Sequence, residues 1–285
     1  MIPDPPFQPA IFKWLALLLQ VASLCCMGVV LLRWSQRRAE GSLPNGGPPF
    51  HSWSGMDLTQ FLFALLFIYL QVSLVDLAFE KTGLLESDGR KAVFFIGSTI
   101  VVYGLFLCLV SHFLRRQGTS WSKAFGLGAT GSGNVLLTAM VALMAAAIPV
   151  ALLGLGTQAV FKMNDWKMEP QPMVDFFLRL DDPWLRAGMA ACAVVGAPVF
   201  EEILFRGILH PFLKQRLGFA HALWMNSLLF ALVHHHAMSL LPLFGLAIVL
   251  TLLYEWRRNL AAPIALHAGF NALSLAILLA REYFL

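Results

Sequence analysis

The sequence predicts an all-α membrane protein, a polytopic bundle of about eight transmembrane helices, with seven as the alternative. Of its 285 residues, 58% are hydrophobic and only 13% are Asp, Glu, Lys or Arg, against roughly 25% in a soluble domain. Long uncharged runs recur along the whole chain, and they are too many to fold into one small soluble core. These observations exclude a disordered, collagen-like or disulfide-stapled chain and disfavour a soluble enzyme.

Four apolar runs predict the spans of an N-terminal membrane region, residues 1–183. They cover 14–32, 58–75, 92–114 and 134–161, and each is long enough to cross the ~30 Å hydrocarbon core of a bilayer. Arginines follow the first run rather than precede it, which is the reverse of a signal peptide, so we expect an uncleaved first span. A charged loop at 162–183 closes this region.

Four further spans are predicted in residues 184–285. The fifth run, 184–213, is interrupted by two glutamates and an arginine. Residues 217–254 then contain no Asp, Glu, Lys or Arg over 38 positions. As a helix this stretch measures about 57 Å, nearly twice the thickness of the hydrocarbon core. It must therefore cross twice and turn near 234–239, and the run 259–280 forms the last span.

Basic residues beside the apolar runs predict the orientation of the chain. They are concentrated in alternate loops, at Arg33, Arg37, Arg38, Arg115, Arg116, Lys123, Lys214, Arg216, Arg257 and Arg258. The positive-inside rule places these loops in the cytoplasm and both termini outside. Short clusters next to spans are typical of topology signals, so we expect the lipid bilayer, and no nucleic acid, as a partner.

Two adjacent carboxylates inside the fifth span point to a functional site. An ionisable group at the centre of a span costs roughly 2.5–3.5 kcal/mol on insertion scales. Glu202 has a partner four residues later, Arg206, one helical turn away. Glu201 has no local partner and points about 100° away around the helix. An ion pair that only holds spans together is the structural alternative, but such a pair needs one glutamate.

Histidines in two later spans reach a similar depth. His234 follows Phe230 by one turn, and His267 precedes Asn271 by one turn. At ~1.5 Å per residue, His234, His267 and Asn271 lie about 13–24 Å from one membrane surface, and Glu201 lies within the same range. The neighbouring His235 and His236 are expected at a turn or helix end, with an additional metal ligand as the alternative.

These residue types suit amide hydrolysis without a covalent intermediate. A glutamate with a histidine activates water, while a second histidine and an asparagine donate hydrogen bonds to the oxyanion that forms. The sequence contains neither GxSxG nor HExxH, so it offers no serine-hydrolase elbow and no zincin helix. Glu201, His234 and His267 also make a possible zinc-ligand set, and the sequence leaves both mechanisms open.

Three motifs resemble those of one family of membrane proteases. Residues 201–206 read EEILFR and look like an EExxxR motif, 230–234 resemble FxxxH, and 267–271 resemble HxxxN. Together they resemble the CPBP family, the CAAX-protease and bacteriocin-processing (abortive infection) proteins, over roughly residues 186–280. The resemblance implies an α-helical protease whose site lies within the bilayer.

The resemblance also implies residue roles and substrates. Glu201 would be the water-activating base, assisted by His234, with His267 and Asn271 at the oxyanion and Glu202, Arg206 and Phe230 in support. The family is described both as metal-dependent and as metal-free, and we favour no cofactor, with Zn²⁺ or another divalent metal as the alternative. A hydrophobic or lipidated substrate, prenylated or bacteriocin-like, and a bacterial cytoplasmic membrane are expected.

Two other classes of function compete with this hypothesis. A non-catalytic immunity or partner-binding scaffold would keep the spans, but it has no reason to bear the insertion cost of buried charges. A proton- or metal-linked transporter predicts internal repeats, and the two halves of the sequence do not resemble each other.

Overall fold

The computed structural model describes residues 53–81, 85–127 and 135–284. The first predicted span, 14–32, and the arginines that follow it lie outside these residues. Within them every regular element is helical and no strand occurs. The α-helices are α1 Gly55–Lys81, α2 Asp88–Arg116, α3 Trp121–Phe125, α4 Val135–Met163, α5 Pro172–Arg179, α6 Pro183–Ala191, α7 Ala197–Glu202, α8 His210–Leu232, α9 Leu240–Arg257 and α10 Ala261–Phe284.

Six helical segments in the described part of the chain are long and apolar enough to cross a membrane. Their outward faces carry large apolar side chains, and Phe63 in α1 is 68% exposed. Exposed groups of this kind suit contact with lipid rather than water. The prediction of an all-α polytopic bundle is therefore confirmed.

One of these segments, Pro183–Leu232, runs for 50 residues. As a helix it would measure about 75 Å, so it must cross the bilayer twice. At Gly218 the backbone leaves the helical conformation, with φ 77° and ψ 169°. A left-handed φ carries little penalty for glycine because it has no Cβ. The break separates the predicted fifth and sixth spans.

Capping residues and short turns mark the helix boundaries between spans. The side chains of Ser87 and Ser120 accept hydrogen bonds from backbone N–H groups at the start of α2 and α3, as N-cap residues do. After α8 the chain turns at residues 233–236, and α9 follows a short 3₁₀ turn, Ala237–Ser239. This confirms the predicted turn near 234–239 between the sixth and seventh spans.

Two packed clusters fix the bundle around the glutamates. In one, aromatic rings of α1, α2 and α3 surround the helix that follows Glu202, and Phe61 makes edge-to-face contact with Phe106. In the other, small residues of α4 such as Ala142 and Ala146 pack against Leu250 of α9. Small side chains let membrane helices approach closely. This packing holds α9 beside Arg206.

Candidate active site

Glu201 and Glu202 lie at the end of a short α-helical segment between two π-helical segments. The π segments are Cys192–Gly196 and Ile203–Leu209. A π turn is wider than an α turn and is frequent at functional sites. The Glu202 side chain is fully buried, whereas that of Glu201 is 21% exposed.

Glu202 is the centre of a buried ionic cluster. Its Oε1 accepts a hydrogen bond from Arg206 Nη1 at 2.8 Å, as predicted from their spacing, and lies 2.9 Å from His267 Nδ1. Arg206 Nη2 also donates to the backbone oxygen of Ala247 at 3.0 Å. The guanidinium lies 4.7 Å from the centre of the Phe230 ring. Arg206 is therefore held by three spans at once.

Glu201 faces the two predicted histidines. Its Oε2 lies 3.9 Å from His234 Nε2 and 3.8 Å from His267 Nε2. Within the described residues this oxygen is buried and has no hydrogen-bond partner. Three separate spans thus bring a carboxylate and two imidazoles together. Because Oε2 accepts no hydrogen bond from the described residues, it can accept one from a reacting molecule.

The ring of His234 is oriented by its own helix. Its Nδ1 lies 2.7 Å from the backbone oxygen of Phe230. A carbonyl oxygen only accepts hydrogen bonds, so Nδ1 must carry a hydrogen. The Nε2 of a neutral His234 then presents a lone pair toward Glu201. Phe230 also packs against both rings, with centroids 4.9 Å from His234 and 5.7 Å from His267.

Asn271 lies one turn beyond His267 on α10. Its Nδ2 donates a hydrogen bond to the backbone oxygen of Ala193, in the first π segment, at 2.9 Å. An amide nitrogen carries two hydrogens, so a second N–H remains for another acceptor. The structure gives no contact between Asn271 and Glu201.

His235 and His236 lie outside this cluster. His235 has a left-handed backbone, with φ 49°. His236 Nε2 lies 2.9 Å from the backbone oxygen of Glu169, and its Nδ1 lies 2.7 Å from Ser239 Oγ. These contacts confirm the predicted turn and fasten it to the loop after α4.

The sequence analysis missed Tyr103 on α2. Its ring stacks on Phe200, the residue before Glu201, with centroids 4.9 Å apart. It also lines a cavity of about 830 Å³ between α1, α2 and α5. The sequence feature that could have revealed it is its position, a tyrosine in the middle of an apolar run.

A metal does not fit Glu201, His234 and His267 as they stand. Neighbouring ligands around tetrahedral zinc lie about 3.3 Å apart, given bonds of ~2.0–2.1 Å, and the two oxygen–nitrogen distances here are 3.9 and 3.8 Å. In the part of the chain that the structure describes, no group of three or more His, Cys, Asp or Glu side chains has metal-binding geometry. No chemical step is therefore assigned to a metal.

Fold and site define a polytopic helical membrane protein with a glutamate–histidine cluster inside its spans. Residues 183–273 match the model of a protease family described as "Type II CAAX prenyl endopeptidase Rce1-like". This match confirms the predicted resemblance to the CPBP family and contains all three motifs. Neither the curated proteins nor the solved structures give a match to the chain.

Proposed function

We propose that this chain is an intramembrane endopeptidase, in which Glu201 activates a water molecule to hydrolyse a peptide bond of a hydrophobic or lipidated substrate. The proposal rests on one observation: inside the bundle, Glu201 Oε2 lies 3.9 Å from His234 Nε2 and 3.8 Å from His267 Nε2. The family match over residues 183–273 supports it.

The first step is attack by water. The two acceptors Glu201 Oε2 and His234 Nε2, 3.9 Å apart, are both within reach of one water oxygen at about 2.8 Å from each. As this oxygen forms a bond to the substrate carbonyl carbon, its proton moves to Glu201. The carbonyl oxygen becomes an oxyanion.

The oxyanion is stabilised by His267 and Asn271. His267 Nδ1 lies 2.9 Å from Glu202 Oε1, and a hydrogen on its Nε2, on the side of Glu201, donates to the oxyanion. The free N–H of Asn271 is the second donor. When the C–N bond breaks, Glu201 returns its proton to the leaving nitrogen.

A cavity beside the site has a mixed lining. Apolar side chains such as Phe94 and polar or charged ones such as Lys91 line it, and Tyr103 lies at one end. A pocket of this size and character suits a substrate with both apolar and polar parts, as a lipidated peptide has. The Tyr103 end lies beside Phe200, the residue before Glu201, so a chain bound there places its polar end near the carboxylate.

The experiment compares cells that express native protein with cells that express Glu201→Gln at matched levels. New peptide termini in the membrane proteome that depend on Glu201 are expected, and they identify substrates and cleavage sites. Glu169→Gln is the matched control, because that glutamate is 72% exposed, pairs with Lys167 at 3.6 Å and lies outside the cavity lining. Identical termini in native and Glu201→Gln cells, with both proteins folded, would instead favour the partner-binding scaffold.

The same assay tests the metal-free mechanism. Because the donor atoms stand too far apart for zinc, membranes treated with a chelator should retain native cleavage of an identified substrate. Loss of cleavage that added zinc restores would contradict this part of the proposal and leave the protease assignment in place.

A further inference from the structure

Ionisable side chains recur every fourth residue from Glu202 onward. Glu202, Arg206, His210 and Lys214 lie on one face of the same helical stretch. The first three are fully buried and the Lys214 side chain is 8% exposed. Twelve residues span about 18 Å, and the exposed Arg216 follows at the far end. This polar stripe therefore joins the site to a membrane surface.

The facing helix α9 continues the polar contacts along the stripe. Thr251 Oγ1 accepts a hydrogen bond from Arg206 Nε at 3.4 Å. One turn further, Glu255 Oε1 lies 2.9 Å from His210 Nε2, and both of its carboxylate oxygens accept from Lys214 Nζ, at 2.9 and 2.7 Å.

Several buried polar atoms of α8 have no partner among the described residues. They are His210 Nδ1, Ser227 Oγ, and both polar atoms of the Asn226 amide, all on fully buried side chains. Asn226 lies one turn before Phe230 on α8. Phe230 contacts Arg206, and residues four apart share a helix face, so Asn226 lies on the face of α8 that is turned toward the stripe.

We propose that the polar stripe, completed by Asn226 and Ser227, is the route by which hydrolytic water reaches Glu201 from the membrane surface at Lys214. Buried polar groups without a protein partner are normally satisfied by water, and one buried water makes about three hydrogen bonds. Each turnover of a peptidase consumes one water. The inference rests on the proposed function, because it supplies the co-substrate of that reaction.

A purely structural ion ladder is the competing explanation of the stripe. It accounts for Glu202, Arg206, His210 and Lys214, which are paired. It does not account for Asn226, which pairs with none of them and would leave a buried amide unsatisfied. Asn226 is therefore the residue on which the two explanations differ.

Two substitutions at Asn226 separate water binding from packing. Asn226→Leu keeps the volume but removes both polar atoms, whereas Asn226→Ser loses volume but keeps a group that binds water. For a peptide substrate identified as above, Asn226→Leu should lower kcat about tenfold or more with KM unchanged, and Asn226→Ser should stay near native. His221→Leu on the exposed face of α8 is the matched control.

Radiolytic footprinting provides a readout that needs no catalysis. Hydroxyl radicals formed from internal water modify the side chains next to it, and the Phe230 ring is fully buried. Native protein in nanodiscs should be modified at Phe230, and Asn226→Leu should lose most of this modification. Asn226→Ser and His221→Leu should keep it.

The outcomes distinguish the water route from the protease assignment. Native kcat and native Phe230 modification in Asn226→Leu would overturn the water route while leaving the proposed function intact. If the modification of Phe230 depends on Asn226 but the protein cleaves no substrate, the water route stands and the protease assignment is overturned. If Asn226→Leu fails to fold, Ser227→Ala takes its place, with the same expected losses and the same overturning result.

Discussion

At the scale of single residues, the two neighbouring glutamates have different environments and should respond differently to substitution. Glu202 is fully buried and contacts Arg206 and His267. Glu201 is partly exposed, and its Oε2 accepts no hydrogen bond from the residues described. One carboxylate is thus held by side-chain contacts, whereas the other, the proposed base, is not.

Glu202→Gln should therefore destabilise the protein, whereas Glu201→Gln should not. The change at Glu202 leaves Arg206 as a buried cation without its counter-charge, which costs about 3–5 kcal/mol. Unfolding of both variants in detergent micelles, followed by intrinsic tryptophan fluorescence, measures the difference. Equal stability of the two variants would contradict the assignment of Glu202 to the supporting cluster.

Part of this site follows from the sequence alone. The pairing of Glu202 with Arg206 was predictable because residues four apart share a helix face. The contact of His267 Nδ1 with the same carboxylate was not, because it joins residues 65 positions apart. Tyr103 was missed for the same reason: its proximity to Glu201 depends on how α2 packs against the π segment beside it.

At the scale of helices, close packing depends on positions that lack a side chain. A Cβ at Gly207 would lie 2.6 Å from the buried ring of Phe125. The same segment is fastened to the N-terminal region, because Trp53 Nε1 donates to the backbone oxygen of Gly207 at 3.1 Å. The second π segment is thus held between α3 and the residues before α1.

Gly207→Ala should lower the stability of the fold by about 1–3 kcal/mol, since the ring must move in a packed core. Gly104 on α2 is the matched control, because a Cβ there meets nothing within 4 Å. Gly104→Ala should be neutral or stabilising, by up to ~1 kcal/mol from helix propensity. Thermal unfolding of both variants in nanodiscs tests the contrast, and equal losses would refute it.

The helices differ in how far the sequence predicts them. The spans are predictable because a bilayer requires about twenty apolar residues, and the described spans fall on the predicted runs. The two π segments around Glu201 and Glu202 are not, because no local pattern distinguishes Cys192–Gly196 from an ordinary α-helix. They arise from tertiary contacts, such as the bond from Asn271 to Ala193.

At the scale of the whole molecule, contacts between loops place several helix ends at the same membrane surface. Gln117, just after α2, donates to Asp57 at the start of α1 at 2.8 Å. The backbone N–H of Leu260, between α9 and α10, donates to the oxygen of Phe125 in α3 at 3.0 Å. The predicted cytoplasmic clusters 115–116 and 257–258 therefore lie at one end of the bundle.

The orientation of this end can be tested in the full-length chain. Arg116→Cys reports the basic end, and Lys167→Cys reports the opposite loop, where the lysine side chain is 89% exposed. Both are made in a chain whose four native cysteines are replaced by alanine. Because basic residues are retained in the cytoplasm, a membrane-impermeant maleimide should label Lys167→Cys in intact cells but Arg116→Cys only after permeabilisation. The opposite pattern would reverse the predicted topology and place the Lys214 end of the polar stripe outside the cell.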